Sequence, residues 1–182
     1  ALTAELGRAF VQASAYGAED RHLLRPPAAY LGAAILAWVL AAAALTTGLA
    51  LVAAERWALG VPIAVLGAGV AVWSTPRWHR LSRRWFVVVP VGVVIHDHVV
   101  LAETFMLRRI DITGLTLAPA DTEAADLTGP AGGHAIEITT RTPVTAVYAG
   151  TPREPGGRAI HLTACLVAPS RPGRALAAAT RR

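Results

Sequence analysis

The sequence predicts a membrane-embedded pair of α-helices followed by a mostly β domain. Three observations support this fold class: two adjacent apolar stretches without charge, a cluster of arginines after the second stretch, and short segments rich in Val, Ile and Thr from Trp85 onward. The composition agrees, because 54% of the 182 residues are hydrophobic and only 16% are charged, whereas about 25% is usual in soluble domains. The predicted parts are an N-terminal cytoplasmic segment, a transmembrane hairpin, a basic juxtamembrane linker and a cytoplasmic β domain, at 1–27, 28–76, 77–84 and 85–182.

The N-terminal segment has two interpretations. Leu2, Leu6 and Phe10 repeat at helical spacing, which is typical of a short amphipathic helix that lies on a membrane. Gly7 and Gly17 weaken a helix, so a frayed tail is an equal alternative.

Two apolar stretches predict the transmembrane helices. Residues 28–54 contain no charged residue, and neither do residues 57–76. Because a helix rises about 1.5 Å per residue, roughly 20 residues cross a hydrocarbon core of about 30 Å. Only Glu55 and Arg56 carry charge between the stretches, so the connection is short and the helices are antiparallel neighbours. A buried helix pair of a soluble protein and a cleaved signal peptide fit the pattern less well.

Small residues recur four positions apart on both helices, which favours close packing between membrane helices. They are Ala33, Ala37 and Ala41 on the first helix and Gly60, Ala64 and Ala68 on the second.

Arginine counts predict the orientation. Four arginines follow the second apolar stretch and two precede the first, whereas the hairpin loop has only Arg56. Cytoplasmic loops carry the excess of basic residues in membrane proteins. The expected location is therefore the plasma membrane, as a multi-pass protein with both termini in the cytoplasm.

From Trp85 onward the pattern is that of short strands, with alternation clearest at Ile136, Ile138 and Leu162. The predicted strands lie at 85–89, 92–96, 99–105, 112–117, 134–140, 143–149 and 159–167. Residues 119–133 are predicted to form an exposed loop, and Ser170 is predicted to begin a final helix.

Seven short strands followed by one helix is the element order of a pleckstrin-homology-like (PH-like) barrel. The segment RRWFVVVPVGVVIHDH at 83–98 and the basic segment LRRIDITGL at 107–115 complete the pattern. Over residues 28–182 the chain resembles the bacterial PH-like membrane proteins, in which a membrane hairpin precedes the β domain. The resemblance implies a PH-like barrel with a C-terminal helix, and a scaffold or accessory role rather than an enzymatic one. It transfers no binding residue.

His96 and His98 are weak candidates for a metal site. On a strand their side chains project from one face, and His134 or His161 could supply a third ligand. The favoured interpretation is a polar turn around Asp97. The sequence contains no nucleophile motif and no phosphate-binding loop, so neither a catalytic residue nor a cofactor is predicted. Cys165 is expected to be inert.

Exposed arginines are the candidate contacts with the membrane surface or with a partner. They are Arg77, Arg80, Arg83, Arg84, Arg108 and Arg109. Nucleic acid is not an expected partner, because aromatic stacking residues are missing from this region. The expected partners are the lipid bilayer and either a protein or a second copy of the chain.

These patterns lead to the hypothesis of a non-enzymatic, membrane-anchored accessory or scaffold protein, whose PH-like domain binds a protein or the membrane surface. A small subunit of a transporter or envelope-biogenesis complex is one alternative. A metal-dependent enzyme that uses the histidines is another.

Overall fold

The structure, a computed structural model, describes residues 19–151 and 154–181. They form two compact units. One is a helical hairpin at residues 28–81, and the other combines the described residues before Ala28 with those from Ser82 onward. The hairpin is therefore inserted into the second unit, called here the β unit.

The hairpin consists of α1 (Ala28–Ala53) and α2 (Trp57–Ser82), each 26 residues long. Each helix has the length and the apolar composition to cross a membrane, since 26 residues span about 39 Å. Large apolar side chains point outward along both helices: Trp38 is 60% exposed and Val72 is 73% exposed. The helices therefore differ from the interior helices of a soluble protein, which bury such side chains.

Helix α2 continues past Pro76, where the sequence placed its end. Proline removes one backbone N–H from the helix interior without preventing the next turn from forming. Arg77 stabilises this turn, because its guanidinium donates a 2.5 Å hydrogen bond to the Trp73 carbonyl and lies 3.6 Å from the centre of the Trp73 ring. Most of the predicted basic linker is thus the last part of α2.

The seam between the two helices is made of small residues seven positions apart. They are Ala41 and Gly48 on α1 and Gly60, Gly67 and Ser74 on α2, all buried. A seven-residue repeat keeps one helix face against its neighbour when the helices wrap around each other in a left-handed sense.

Two glycines show how closely the helices approach each other. A Cβ atom on Gly60 would lie 2.7 Å from the Val52 nitrogen, and one on Gly67 would lie 2.8 Å from the Leu45 nitrogen. Ala33 and Ala68, by contrast, are exposed. The predicted residues are therefore right in part: Ala41 and Gly60 are buried and Ala64 contacts Gly48, but the buried positions repeat every seven residues rather than every four.

The helices are joined by a tight turn at residues 54–56. Glu55 adopts a left-handed conformation with φ of 60°. The Arg56 N–H donates to the Leu51 carbonyl at 2.9 Å, and the Glu55 N–H donates to the Val52 carbonyl at 3.0 Å. This pair of bonds is a Schellman motif, which satisfies the last carbonyls of α1.

The first sheet has four antiparallel strands in the order β1-β2-β3-β4. The strands are β1 (Asp20–Leu23), β2 (Trp85–Val89), β3 (Gly92–His96) and β4 (Phe105–Arg108). Strand β1 was not predicted, because DRHL has little apolar character. The amphipathic helix predicted around Leu2, Leu6 and Phe10 lies outside the described residues.

The second sheet has the order β5-β7-β8-β6, in which β6 runs parallel to β8. Its strands are β5 (Ile112–Leu117), β6 (Ala125–Asp126), β7 (Ile136–Tyr148) and β8 (Arg158–Val167). The strands predicted at 134–140 and 143–149 are one strand, β7, with a shift in pairing between Thr139 and Val144. Pro143 lies within this shift, where a missing N–H is tolerated. A short 3₁₀ helix, Arg109–Asp111, joins the sheets.

The strand predicted at 99–105 is wrong for most of its length, since β4 begins only at Phe105. The Asp97 carboxylate accepts hydrogen bonds from the N–H groups of Val99 at 3.0 Å and Val100 at 3.3 Å. These bonds hold the chain in a turn and override the strand preference of its apolar residues.

Both sheets contribute to one apolar core, to which α3 (Pro172–Arg181) adds Ala175, Ala178 and Ala179. A second, smaller buried cluster lies on the other face of the first sheet and consists of Trp85, Val87, Val89 and Val94. Isolated bridges, Leu24 to Pro169 and Leu101 to Tyr148, connect the sheets. The sheets do not close into a barrel. The observed β unit is therefore a mostly β structure of two sheets with a C-terminal helix.

Candidate functional site: the basic end of the first sheet

The end of the first sheet from which the chain leads to the hairpin carries most of its polar groups. Here Leu23 pairs with Trp85, and Trp85 pairs with His96. Continuing the β2–β3 register by one position places Arg84 opposite Asp97, and both side chains are buried. Arg83 and His98 lie in the turns just beyond the two strands, and both are exposed.

The inward pair is a buried salt bridge. Arg84 Nε lies 2.7 Å from Asp97 Oδ1, and Arg84 Nη2 lies 2.5 Å from Asp97 Oδ2. The side chains are 1% and 0% exposed, respectively. This two-pronged geometry matches the planar guanidinium to the carboxylate and is among the strongest charged hydrogen-bond arrangements in proteins.

The buried pair also holds neighbouring segments through their backbone. Arg84 donates to the carbonyl of Arg25 at 2.6 Å and to that of Thr128 at 3.3 Å. Asp97 in turn accepts the N–H bonds of the turn after β3. Four segments that are distant in sequence therefore meet on one charge pair, whose hydrogen-bonding groups offset the cost of removing two charges from water.

Arg84 does not belong among the exposed arginines where the sequence placed it. The cluster of arginines after the second apolar stretch suggested a common role, but its last two members differ in exposure. Arg83 is exposed and Arg84 is buried. A contact between the Arg84 guanidinium and a membrane surface or a partner is excluded by this burial.

The outward groups are Arg83, His96 and His98. The imidazole rings of His96 and His98 are 4.2 Å apart between centroids and nearly perpendicular. His96 Nδ1 lies 3.0 Å from the Thr104 hydroxyl. Burial lowers the pKa of His96, and the charges of His98, Arg21 and Arg83 lower it further, against an opposing effect of Asp97.

The structure brings together two of the four histidines considered for metal binding. The carbonyl of His134 accepts a bond from Arg25, and His161 Nδ1 lies 2.9 Å from the Thr145 hydroxyl on the second sheet. Within residues 19–151 and 154–181 there is no group of three or more His, Cys, Asp or Glu side chains that could hold a metal ion. No observation on the described residues therefore favours the metal-site hypothesis.

No protein-family model, curated protein or solved structure matches this chain. Its function is therefore argued from its own residues and their geometry.

The remaining predicted contact residues fall in two other places. Arg77 and Arg80 are exposed on the last turns of α2. Arg108 and Arg109 lie at the opposite end of the first sheet, since Arg108 pairs with Gly92 beside the β2–β3 turn. Arg108 forms a 2.7 Å ion pair with Asp111, which raises its pKa. Arg109 donates to the Ala179 carbonyl at 3.3 Å, near the end of α3.

The sequence contains a signal for the Arg84–Asp97 pair that the prediction did not use. Strands β2 and β3 are separated by only Pro90 and Val91. A two-residue connection fixes the register of a hairpin, and that register places residue 84 opposite residue 97.

Cys165 is fully buried, and burial together with the nearby charge of Glu137 raises the pKa of its thiol to about 12. A thiol that stays protonated is a poor nucleophile, so the structure offers no chemistry at this position.

Proposed function

We propose that this chain is a membrane-anchored accessory or scaffold protein. In this proposal α1 and α2 cross the bilayer as a hairpin, and the β unit is a PH-like domain on the cytoplasmic side that binds a protein partner or the membrane surface. The observation that carries the proposal is an apolar helical hairpin inserted between two neighbouring strands of one sheet.

The surface of the hairpin supports its placement in lipid. The buried contact between the helices is made by small residues. Large apolar side chains, among them Trp38, Leu66 and Val72, are exposed on the outer surface of the hairpin. Apolar surface left in water costs about 25 cal/mol per Å², and continuous apolar surface of this kind marks a membrane or protein interaction site.

The pairing of β1 with β2 supports a common side for both ends of the hairpin. Leu23 pairs directly with Trp85, and only a few residues separate each of them from its helix. Two helices whose outer ends leave from adjacent strands have both flanks on one side of a bilayer. The exposed Arg77, Arg80 and Arg83 favour the cytoplasm as that side.

The positions of the polar groups support a binding role rather than a catalytic one. The Arg84–Asp97 network is buried and engaged with the backbone, and the Cys165 thiol is held protonated. Exposed charges lie instead at both ends of the first sheet, where a macromolecular surface can reach them.

Thiol labelling in intact cells tests this proposal. Glu55→Cys, made together with Cys165→Ser, is expected to react with a membrane-impermeant maleimide, because residue 55 would lie outside the cytoplasm. Arg80→Cys and Asp121→Cys in the same background are the controls and should react only after permeabilisation. Labelling of all three positions, or of Arg80→Cys alone, would contradict the orientation. If none of the three cysteines reacted in permeabilised cells, the result would contradict the exposure of these positions.

A further inference from the structure

We propose that Arg83, His96 and His98 form a binding site for a phosphate group at the end of the first sheet where β2 begins and β3 ends. The favoured source is the headgroup of an anionic phospholipid. The membrane attachment proposed above supplies this source, whereas the site itself depends only on the geometry of the β unit.

The first argument is the convergence of like charges. The imidazole rings of His96 and His98 are 4.2 Å apart between centroids. Arg83 is exposed, and its charge acts on His96 together with that of His98. Arg21 also acts on His96, but its guanidinium is paired with Glu19. Groups of one sign held this close attract an anion.

The second argument is that the nearby carboxylates are engaged elsewhere. Of the acidic groups in residues 19–151 and 154–181, Asp97 acts on His96, but its side chain points inward to Arg84 and to two backbone N–H groups. Glu19 forms a 2.6 Å ion pair with Arg21. Asp97 therefore accepts its hydrogen bonds on the side away from Arg83, and Glu19 is held by Arg21.

The third argument concerns the kind of anion. A guanidinium binds phosphate through two parallel N–H bonds, and protonated imidazoles add further donors. A phosphate near these rings favours their charged form, whereas His98, Arg21 and Arg83 disfavour it. Binding is therefore expected to strengthen as the pH falls, as in other histidine-dependent switches.

The location favours a lipid as the source of the phosphate. Arg83 immediately follows the last residue of α2, and its charge acts on His96. Basic side chains adjacent to a transmembrane helix lie at the level of the phospholipid headgroups and attract anionic lipids.

Nuclear magnetic resonance of the full chain in maltoside micelles tests the site. Its histidines carry a ¹³C label, and His96→Gln and His98→Gln assign their signals. Each histidine is titrated without phosphate, with inorganic phosphate, and with phosphatidylglycerol in the micelles. We expect the pKa values of His96 and His98 to rise by about 0.5–1 unit with phosphatidylglycerol. The exposed His161 on β8 should rise much less, and Arg83→Gln should remove most of the effect.

Arg141→Gln is the matched control, since Arg141 is an exposed arginine on β7, and it should preserve the rise. A rise with phosphatidylglycerol alone identifies the lipid as the source, and a rise with both additives shows that the phosphate group is sufficient. No rise with either additive would overturn the site. An equal rise in the pKa of His161, or a full rise in the pKa values of His96 and His98 in Arg83→Gln, would also overturn the proposed site. Either result would show that a general surface potential causes the rise. None of these results depends on the orientation test at Glu55.

Discussion

The hairpin and the β unit place their apolar residues in opposite ways. In the hairpin the buried seam consists of small residues such as Gly48, Gly60 and Gly67, and the large apolar side chains face outward. In the β unit the large side chains, such as Phe86 and Ile138, form the interior. The difference teaches that hydrophobic content alone does not define a core, because in a membrane the surrounding solvent is itself apolar and close packing replaces water exclusion as the force between helices.

The two units also treat buried polar groups differently. The Ser74 hydroxyl is buried in the hairpin seam without a hydrogen-bond partner among the described residues. The β unit buries a full ion pair and surrounds it with backbone partners. An unpaired buried hydroxyl costs about 1–3 kcal/mol and an unpaired buried charge costs more, so the Arg84 and Asp97 charges are buried together.

The largest expected effect is in the core of the β unit. Ile138→Asp introduces a carboxylate at a fully buried position and is expected to lower the free energy of unfolding by several kcal/mol, about the whole stability of a small domain. Thr163→Lys is the control, because Thr163 is exposed on β8. Thermal melting of the full chain in detergent, followed by circular dichroism, measures both. Equal sensitivity at the two positions would show that both faces of the second sheet are covered.

The buried ion pair is the next test. Asp97→Asn leaves the Arg84 charge unpaired in the interior and is expected to cost about 3–5 kcal/mol of unfolding free energy. Arg83→Gln, one residue along the chain but exposed, should change it by less than about 0.5 kcal/mol. Chemical denaturation of the full chain in detergent measures the two variants, and comparable losses would contradict a special role for the inward pair.

The seam of the hairpin gives a smaller effect. A methyl group at Gly48 meets the backbone and side chain of Ala64, whereas a methyl group at Gly69 meets nothing within 4 Å. Gly48→Ala is therefore expected to cost about 1–3 kcal/mol, and Gly69→Ala should be neutral or stabilising because alanine favours a helix. Disulfide cross-linking between cysteines placed across the seam reports the packing. The seam would be wrongly assigned if both variants behave alike.

The smallest expected effect is the dependence of stability on pH. The pKa of His96 is lowered in the folded chain, so the unfolded chain binds a proton more tightly. The contribution of His96 to the free energy of unfolding is therefore fully present above the pKa of the unfolded chain, about 6.5, and is lost as the pH falls below it. The midpoint of thermal unfolding, measured between pH 7.5 and 5.5 without phosphate, should fall less in His96→Gln than in the unchanged chain. The same fall in both would assign the effect to other groups.

Regular local patterns were sufficient for part of the fold. Alternating or continuous Val and Ile segments predicted β2, β3 and β5 with their observed bounds, and two charge-free stretches predicted the helices. Strand β1 was missed because it gains its stability from pairing with β2, about 60 residues later. The apolar residues after Asp97 suggested a strand, but the Asp97 carboxylate holds them in a turn.

The candidate site was predicted only in part, for a related reason. Arg83, His96 and His98 were noted separately, as a basic cluster and as weak metal candidates. The ring contact of His96 with His98 and the pairing of Arg84 with Asp97 both arise where the ends of β2 and β3 meet, and no local pattern in the sequence shows them. Similarly, an alanine-rich helix offers many spacings of small residues, and only the packing of its partner selects the seven-residue repeat.

The insertion of the hairpin between β1 and β2 has a consequence for biosynthesis. Strand β1 leaves the ribosome first and must wait for β2, which emerges about 60 residues, or roughly 3–12 s, later. In the proposed topology both helices would enter the membrane during that interval. The first sheet would then assemble only after the hairpin had returned the chain to the side of β1, because β1 pairs with β2. Under the same proposal, a chain whose second helix failed to cross would leave β1 without its partner strand.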